Sequence, residues 1–158
     1  MNRWFYTQLW RIAPPLIRHY LKKRAVKSPA YLYHWGERFG EPFDRPVQHP
    51  IWVHAVSVGE TRAAQPLVEA LRRHFPDAPL LMTQMTPTGR AAAKELFPDA
   101  QCRYLPYDKP EWVAQFLKEH RPLFGVLMET EIWPNLMHAC ADAHVPLFLA
   151  NARLSEKS

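Results

Sequence analysis

The stretch Ile51-Trp52-Val53-His54-Ala55-Val56-Ser57-Val58-Gly59-Glu60-Thr61 decides how the rest of the chain is read. Its first half is an apolar run of strand type, and its second half is a small-residue turn with a carboxylate where a helix is about to begin. Unpaired N–H groups and the helix dipole put positive potential at a helix start, which favours the anionic form of an acid placed there. Glu60 is therefore expected as a charged base, against the plainer alternative that it only dresses a helix terminus.

The same strand–turn–helix unit recurs toward the C-terminus. After the strand at 51–56, Ala64, Leu67, Val68, Leu71 and Phe75 follow helical spacing to about residue 74, with Pro66 unsettling the first turn. A strand over 79–85 runs into Thr86-Pro87-Thr88-Gly89, where Thr caps a helix and Pro occupies its first position. Further strands are expected near 102–106, 124–128 and 146–150. Helices are expected over about 110–120 and from Trp133-Pro134-Asn135 onward. Near-continuous apolar strands alternating with helices predict a parallel sheet with both faces covered, a Rossmann-like α/β domain.

In a doubly wound sheet of order 3-2-1-4-5 the first and fourth strands are neighbours, and ligands bind in the crevice at their carboxyl ends. That order brings Ser57–Glu60 and Glu129–Glu131, about 70 residues apart, to opposite lips of one cleft. Glu129 and Glu131 lie two apart, and spacing does not choose between them. The turn Thr86–Gly89 offers backbone N–H groups to an anion, or is simply an N-cap.

Composition narrows the chemistry. A chain of 158 residues suits one domain with a real core, and 47% apolar with 22% charged residues is globular. The two cysteines, Cys102 and Cys140, fit neither a CxxC pair nor a zinc spacing. The eight histidines include no i, i+4 pair among their closest neighbours, so no metal is expected. No GxGxxG follows the first strand, and GxxxxGK[ST] and GxSxG are absent. These absences argue against dinucleotide binding, a P-loop nucleotidase and an α/β-hydrolase.

The formal charge of +5 sits at one end. Before residue 46 there are nine basic residues against three acidic ones, whereas the remainder holds eleven against twelve. This distribution predicts an arm that meets an anionic surface, with no basic groove across the domain and no nucleic-acid partner. Residues 1–27 interleave aromatic and aliphatic residues with cations. On an ideal helix Arg11, Arg18 and Lys22 share a stripe, and Phe5, Leu9, Ile12, Leu16 and Tyr20 lie well away from it. Pro14-Pro15 should kink or divide that helix. Arg11 and Arg18 interrupt every window long enough to span a bilayer, and no cleavage site follows an apolar core. An amphipathic arm in the interface of an anionic membrane is the expectation, against an ordinary helix packed on its own domain. Residues 28–50, rich in Pro and Gly, read as a connector to a domain over 51–158.

Five ordered stretches then resemble the 3-deoxy-D-manno-octulosonic acid (Kdo) transferases. They are His-Ala-Val-Ser-Val-Gly-Glu-Thr (54–61), Met-Thr-Pro-Thr-Gly (85–89), Tyr-Leu-Pro-Tyr-Asp (104–108), Met-Glu-Thr-Glu-Ile-Trp-Pro-Asn (128–135) and Ala-Asn-Ala-Arg-Leu-Ser (150–155). Tyr31 and Trp35-Gly36-Glu37-Arg38-Phe39-Gly40 match the family's leading segment. The resemblance implies the N-terminal half of a GT-B glycosyltransferase at the cytoplasmic face of the bacterial inner membrane. It implies metal-free transfer of Kdo, with inversion, from CMP-Kdo to a lipid A precursor in lipopolysaccharide synthesis. Glu60 matches the family's general base and Glu129 its transition-state stabiliser, while Ser57, Gly59, Thr86, Thr88 and Gly89 are candidate acceptor contacts. The sequence stops at Ser158, whereas the resemblance implies a second domain that binds CMP-Kdo. On that expectation these residues alone carry the acceptor side and no turnover. The alternative is a non-catalytic module that binds lipid A precursor or membrane.

Overall fold

A computed structural model describes residues 3–129 and 133–151. Its centre is a five-stranded sheet of order β3-β2-β1-β4-β5, built from β1 (Ile51–His54), β2 (Leu80–Gln84), β3 (Gln101–Tyr104), β4 (Phe124–Met128) and β5 (Leu147–Ala150). Every neighbouring pair is parallel, with Ile51 level with Leu80 on one side and with Phe124 on the other. The Rossmann-like α/β fold is therefore present, with the expected order.

Parallel strands need crossovers, and the helices that supply them cover both faces. On one face α4 (Val58–Ala63), α5 (Gln65–His74) and α6 (Pro87–Leu96) pack through Ala64, Val68, Ala93 and Phe97 onto Ile51, Val53, Met82 and Val126. On the other, α7 (Pro110–His120) and α8 (Pro134–Asp142) pack through Val113, Phe116, Leu136 and Cys140 onto Trp52, Leu81 and Leu127. Alternate strand residues thus enter two different cores, which explains why β1 is buried at every position. Gly125 belongs to the second core by what it lacks. A Cβ there would come 2.5 Å from the Trp52 ring.

Proline opens each of α5, α6, α7 and α8, where its missing N–H costs no helical bond. The single helix expected to reach residue 74 is two, α4 and α5, meeting at Ala64 just ahead of Pro66. The expected division at Pro14-Pro15 is also found. α1 (Arg3–Leu9) ends before a turn, and α2 (Ala13–Ala25) begins with both prolines in its first turn.

The arm contacts the domain on one side only. Trp10 stacks on Tyr107 with centroids 6.3 Å apart, and the Thr7 hydroxyl donates to Asn135 Oδ1 at 3.0 Å. Leu21 and Ala25 are buried with Tyr31 and Phe39 in a third cluster. Phe5, Leu9, Ile12, Leu16 and Tyr20 are all more than half exposed. The basic stripe of an unbroken helix is not preserved, because the break falls at Arg11, and Arg18 turns to lie 4.8 Å over the Phe39 ring. Within the connector, a 3₁₀ turn (Pro29–Leu32) and α3 (Trp35–Arg38) precede Gly40. Gly40 has φ +71°, with the Trp112 ring where its Cβ would be, so only glycine fits.

Candidate active site

The chain leaves β1 through Ala55 and Val56, and Ser57 is the extended residue at the N-cap position of α4. Glu60 falls in the first turn of that helix and curls back over the loop. The Val56 N–H donates to Glu60 Oε2 at 2.8 Å, and the Ser57 hydroxyl donates to Oε1 at 3.0 Å. Only 9% of Glu60 is exposed, so the carboxylate is a fixed feature of the loop and not a mobile surface acid. Two donors and the helix start all favour its charged form.

The turn after β2 is tied to the same loop. The N–H groups of Met85 and Thr86 converge on the Val56 carbonyl at 3.1 and 3.2 Å, and the Thr86 hydroxyl reaches it at 3.2 Å. Thr86 Oγ1 also accepts the Gly89 N–H at 3.0 Å, the predicted N-cap of α6. Gly89 is buried, and a Cβ there would stand 2.9 Å from Thr86 Oγ1 and 3.1 Å from the Val56 carbonyl oxygen. Ser57, Thr86 and Gly89 thus have structural partners within the loop, whereas Gly59 and Thr88 are exposed, with the Thr88 hydroxyl donating to Thr86 Oγ1 at 3.4 Å. All five are gathered at the carboxyl end of β1 and β2.

Glu129 follows β4 directly, at the same sheet edge, and is half-buried. Its φ of 60° is left-handed, which a non-glycine side chain adopts at a cost of about 1 kcal/mol or more. The Glu129 N–H donates to the Ala150 carbonyl at 2.8 Å, which holds the residue in that conformation. Because β1 and β4 pair through His54 and Leu127, the loops carrying Glu60 and Glu129 leave adjacent strands in the same direction. Glu131, the other acid that spacing left open, lies outside the described residues.

Beneath this edge are polar groups with no equivalent in the sequence reading. His54 is fully enclosed, with Nδ1 2.9 Å from Thr83 Oγ1 and its ring against Trp133. Thr83 Oγ1 also accepts the Trp52 indole N–H at 2.7 Å. Burial pushes the His54 pKa down to about 4, although a bond to the Thr83 backbone opposes the shift. At the β2–β3 side Glu37 forks onto Arg90 and accepts the Tyr104 N–H at 2.8 Å, while Arg38 lies over the Tyr104 ring. The Trp35–Gly40 motif was the available signal for these last residues, but spacing gives no hint that Glu37 and Arg38 meet the carboxyl ends of β3 and β2. Among the described residues no group of three or more His, Cys, Asp or Glu is placed to hold a metal ion.

The family profile described as 3-Deoxy-D-manno-octulosonic-acid transferase (kdotransferase) matches residues 33–158. A 3-deoxy-D-manno-octulosonic acid transferase of Haemophilus influenzae is 40% identical over the whole of this chain, which covers 38% of that protein. One from Bordetella pertussis is 43% identical over the whole chain, which covers 39% of it. A probable mitochondrial counterpart in Arabidopsis thaliana is 36% identical over 91% of the chain and 33% of its own length. The chain spans well under half the length of these curated relatives.

Proposed function

Because this chain belongs to the Kdo transferase family of glycosyltransferases, we propose that its sheet edge receives the acceptor in transfer of Kdo from CMP-Kdo to a lipid A precursor. The observation that carries the reading is the Glu60 carboxylate, held by Val56 and Ser57 at the crevice beside β4. In the proposed step Glu60 takes the proton of the glucosamine 6-hydroxyl as that oxygen attacks the anomeric carbon of Kdo. CMP departs from the opposite face, so the anomeric centre inverts. Glu129 is proposed to stabilise the transition state from the neighbouring loop, and its constrained backbone is the kind of local strain that collects at functional sites.

The exposed apolar side of α1 and α2 supports a membrane-bound arm. Among the described residues no helix is long and apolar enough to cross a membrane. The arm is therefore proposed to lie in the interface, with Trp4, Phe5, Leu9 and Leu16 at headgroup depth and the chain's cations on anionic lipid. The protein is proposed to work at the cytoplasmic face of the bacterial inner membrane, where an acylated acceptor would be presented to the crevice.

CMP-Kdo is assigned, in this reading, to the part of the relatives that lies beyond the matched region. Positioning of donor against acceptor accounts for roughly 7–11 kcal/mol of barrier lowering, and an acceptor surface alone does not supply it. The test is to incubate residues 1–158 with CMP-Kdo and lipid A precursor, alone and then with the separately expressed remainder of the Bordetella pertussis relative. Product only in the mixture supports the reading. Product from residues 1–158 alone refutes the division of labour, and failure to bind the precursor refutes the acceptor role.

A further inference from the structure

The Trp35–Gly40 motif is left without a task by the acceptor-side reading, and its Arg38 is an unusual residue. No part of it is exposed, and among the described residues no carboxylate pairs with it. The adjacent Glu37 is engaged by Arg90 and the Tyr104 N–H instead. A buried guanidinium carries a heavy desolvation penalty unless its charge is used. Here the guanidinium carbon lies 3.6 Å from the Tyr104 ring centroid, and Nη1 donates to the Met85 carbonyl at 2.9 Å. Among the described residues, Nε and Nη2 have no hydrogen-bond partner.

That directed bond stands at the head of a run of backbone hydrogen bonds that ends on Glu60. The Met85 carbonyl shares its peptide with the Thr86 N–H, which donates to the Val56 carbonyl at 3.2 Å, beside the Met85 N–H at 3.1 Å. The Val56 N–H, which belongs to the preceding Ala55–Val56 peptide, holds Glu60 Oε2 at 2.8 Å, so Val56 is pinned at its carbonyl by Met85 and Thr86 and at its N–H by the carboxylate. The fixed cation polarises the Met85–Thr86 peptide and so strengthens the Thr86 bond to the Val56 carbonyl, and from there the link to Glu60 is geometric, because a fixed Val56 carbonyl sets the direction of the Val56 N–H. The geometry points to Arg38 as a positioning residue for the Glu60 carboxylate, acting through the Met85–Thr86 peptide and Val56. This inference rests on Glu60 being the base, but its geometry is measurable without turnover.

The experiment is amide hydrogen exchange, read by NMR on the 158-residue chain carrying Arg38→Met or Arg38→Lys, with Arg103→Met as comparator. Arg103 is a second buried arginine, paired with Glu119 of α7 on the opposite face of the sheet. Arg38→Met should speed exchange of the Val56 and Thr86 amides at least tenfold more than that of Val53 and Met82, and shift the Val56 amide proton upfield. Arg38→Lys, which keeps the charge and a donor, should recover most of both changes. Arg103→Met should leave Val56 and Thr86 in step with the core. Acceleration spread evenly over the core by Arg38→Met, or no local change, overturns the proposal. If Arg38→Met does not fold, the unmutated chain still decides, through hydrogen-bond scalar couplings from Arg38 Nη1 to the Met85 carbonyl carbon and from Val56 N to Glu60 Cδ. Absence of either coupling overturns the relay. None of these readouts depends on transfer, so they fail separately from the assignment of Glu60 as base.

Discussion

The carboxylate of Asp108 accepts the backbone N–H of Asn135 at 2.9 Å and that of Leu136 at 2.7 Å, capping α8 from a loop on another strand. The N-cap residue of that helix, Trp133, makes no side-chain cap of its own. Asn135 returns the contact through Nδ2 to the Asp108 carbonyl at 2.8 Å. The loop after β3 is thereby locked to the helix that follows β4. Asp108→Ala should strand two buried N–H groups and destabilise the fold by about 2–4 kcal/mol. Thermal melting should show a drop of roughly 5–15 °C, and an unchanged midpoint would contradict the cap.

Glu60→Gln keeps the shape of the side chain and removes its ability to accept a proton. In the reconstituted mixture with a relative's remaining portion, transfer should fall roughly 10²–10⁴-fold. The circular dichroism spectrum should not change. A variant with near-normal kcat would show that Glu60 is not the base.

Stability should decline on mild acidification. His54 and His120 are both buried, and burial is the largest cause holding each pKa down to about 4. His120 donates from Nδ1 to the Val47 carbonyl at 2.9 Å while Nε2 faces the Arg103 guanidinium at 3.0 Å, so a second proton has no acceptor. With folded-state values below the unfolded value near 6.5, each contribution is complete above pH 6.5 and is lost as pH falls toward 4. The loss is on the order of 3 kcal/mol per residue across that window. Asp108 works in the opposite sense. Burial raises its pKa against the two helix amides, so its term favours folding at low pH and fades as pH rises through the raised value. Urea unfolding at pH 7, 6 and 5 should show the histidine decline, and a flat profile would contradict the buried neutral state of both rings.

The arm predicts salt-sensitive membrane binding. Replacing Trp4, Phe5, Leu9 and Leu16 with Ser removes exposed apolar area without touching Leu21 or Ala25, which pack on the domain. Co-sedimentation with vesicles of anionic phospholipid should be strong for the unmodified chain, weaken with added salt and be largely lost in this variant. Basic residues near such a surface contribute on the order of 1 kcal/mol each. Equal binding by both proteins would remove the arm from the interaction.

The sheet and its order were legible because they rest on short-range patterns. Apolar runs such as Ile51–Val53 and Phe124–Met128 are bounded by turn residues, and Pro87, Pro110 and Pro134 mark helix starts. Once strands alternate with helices, parallel pairing and the switch point between β1 and β4 follow, and so does the common edge of Glu60 and Glu129. Local spacing also reached the Thr86 cap on α6.

Tertiary structure alone decided what those residues are attached to. Glu60 is oriented by its own loop, but that loop is held through Val56 by Met85 and Thr86, about 30 positions later, and Arg38 reaches Met85 from before the sheet begins. Asp108 likewise caps a helix 27 residues away. In the arm, the helix break redirected Arg18 onto Phe39, which an ideal helical wheel cannot foresee. Periodicity records which side of an element is apolar, because burial acts on every residue alike. It does not record which distant donor meets which acceptor, since a hydrogen bond depends on direction and distance that exist only after the chain has folded.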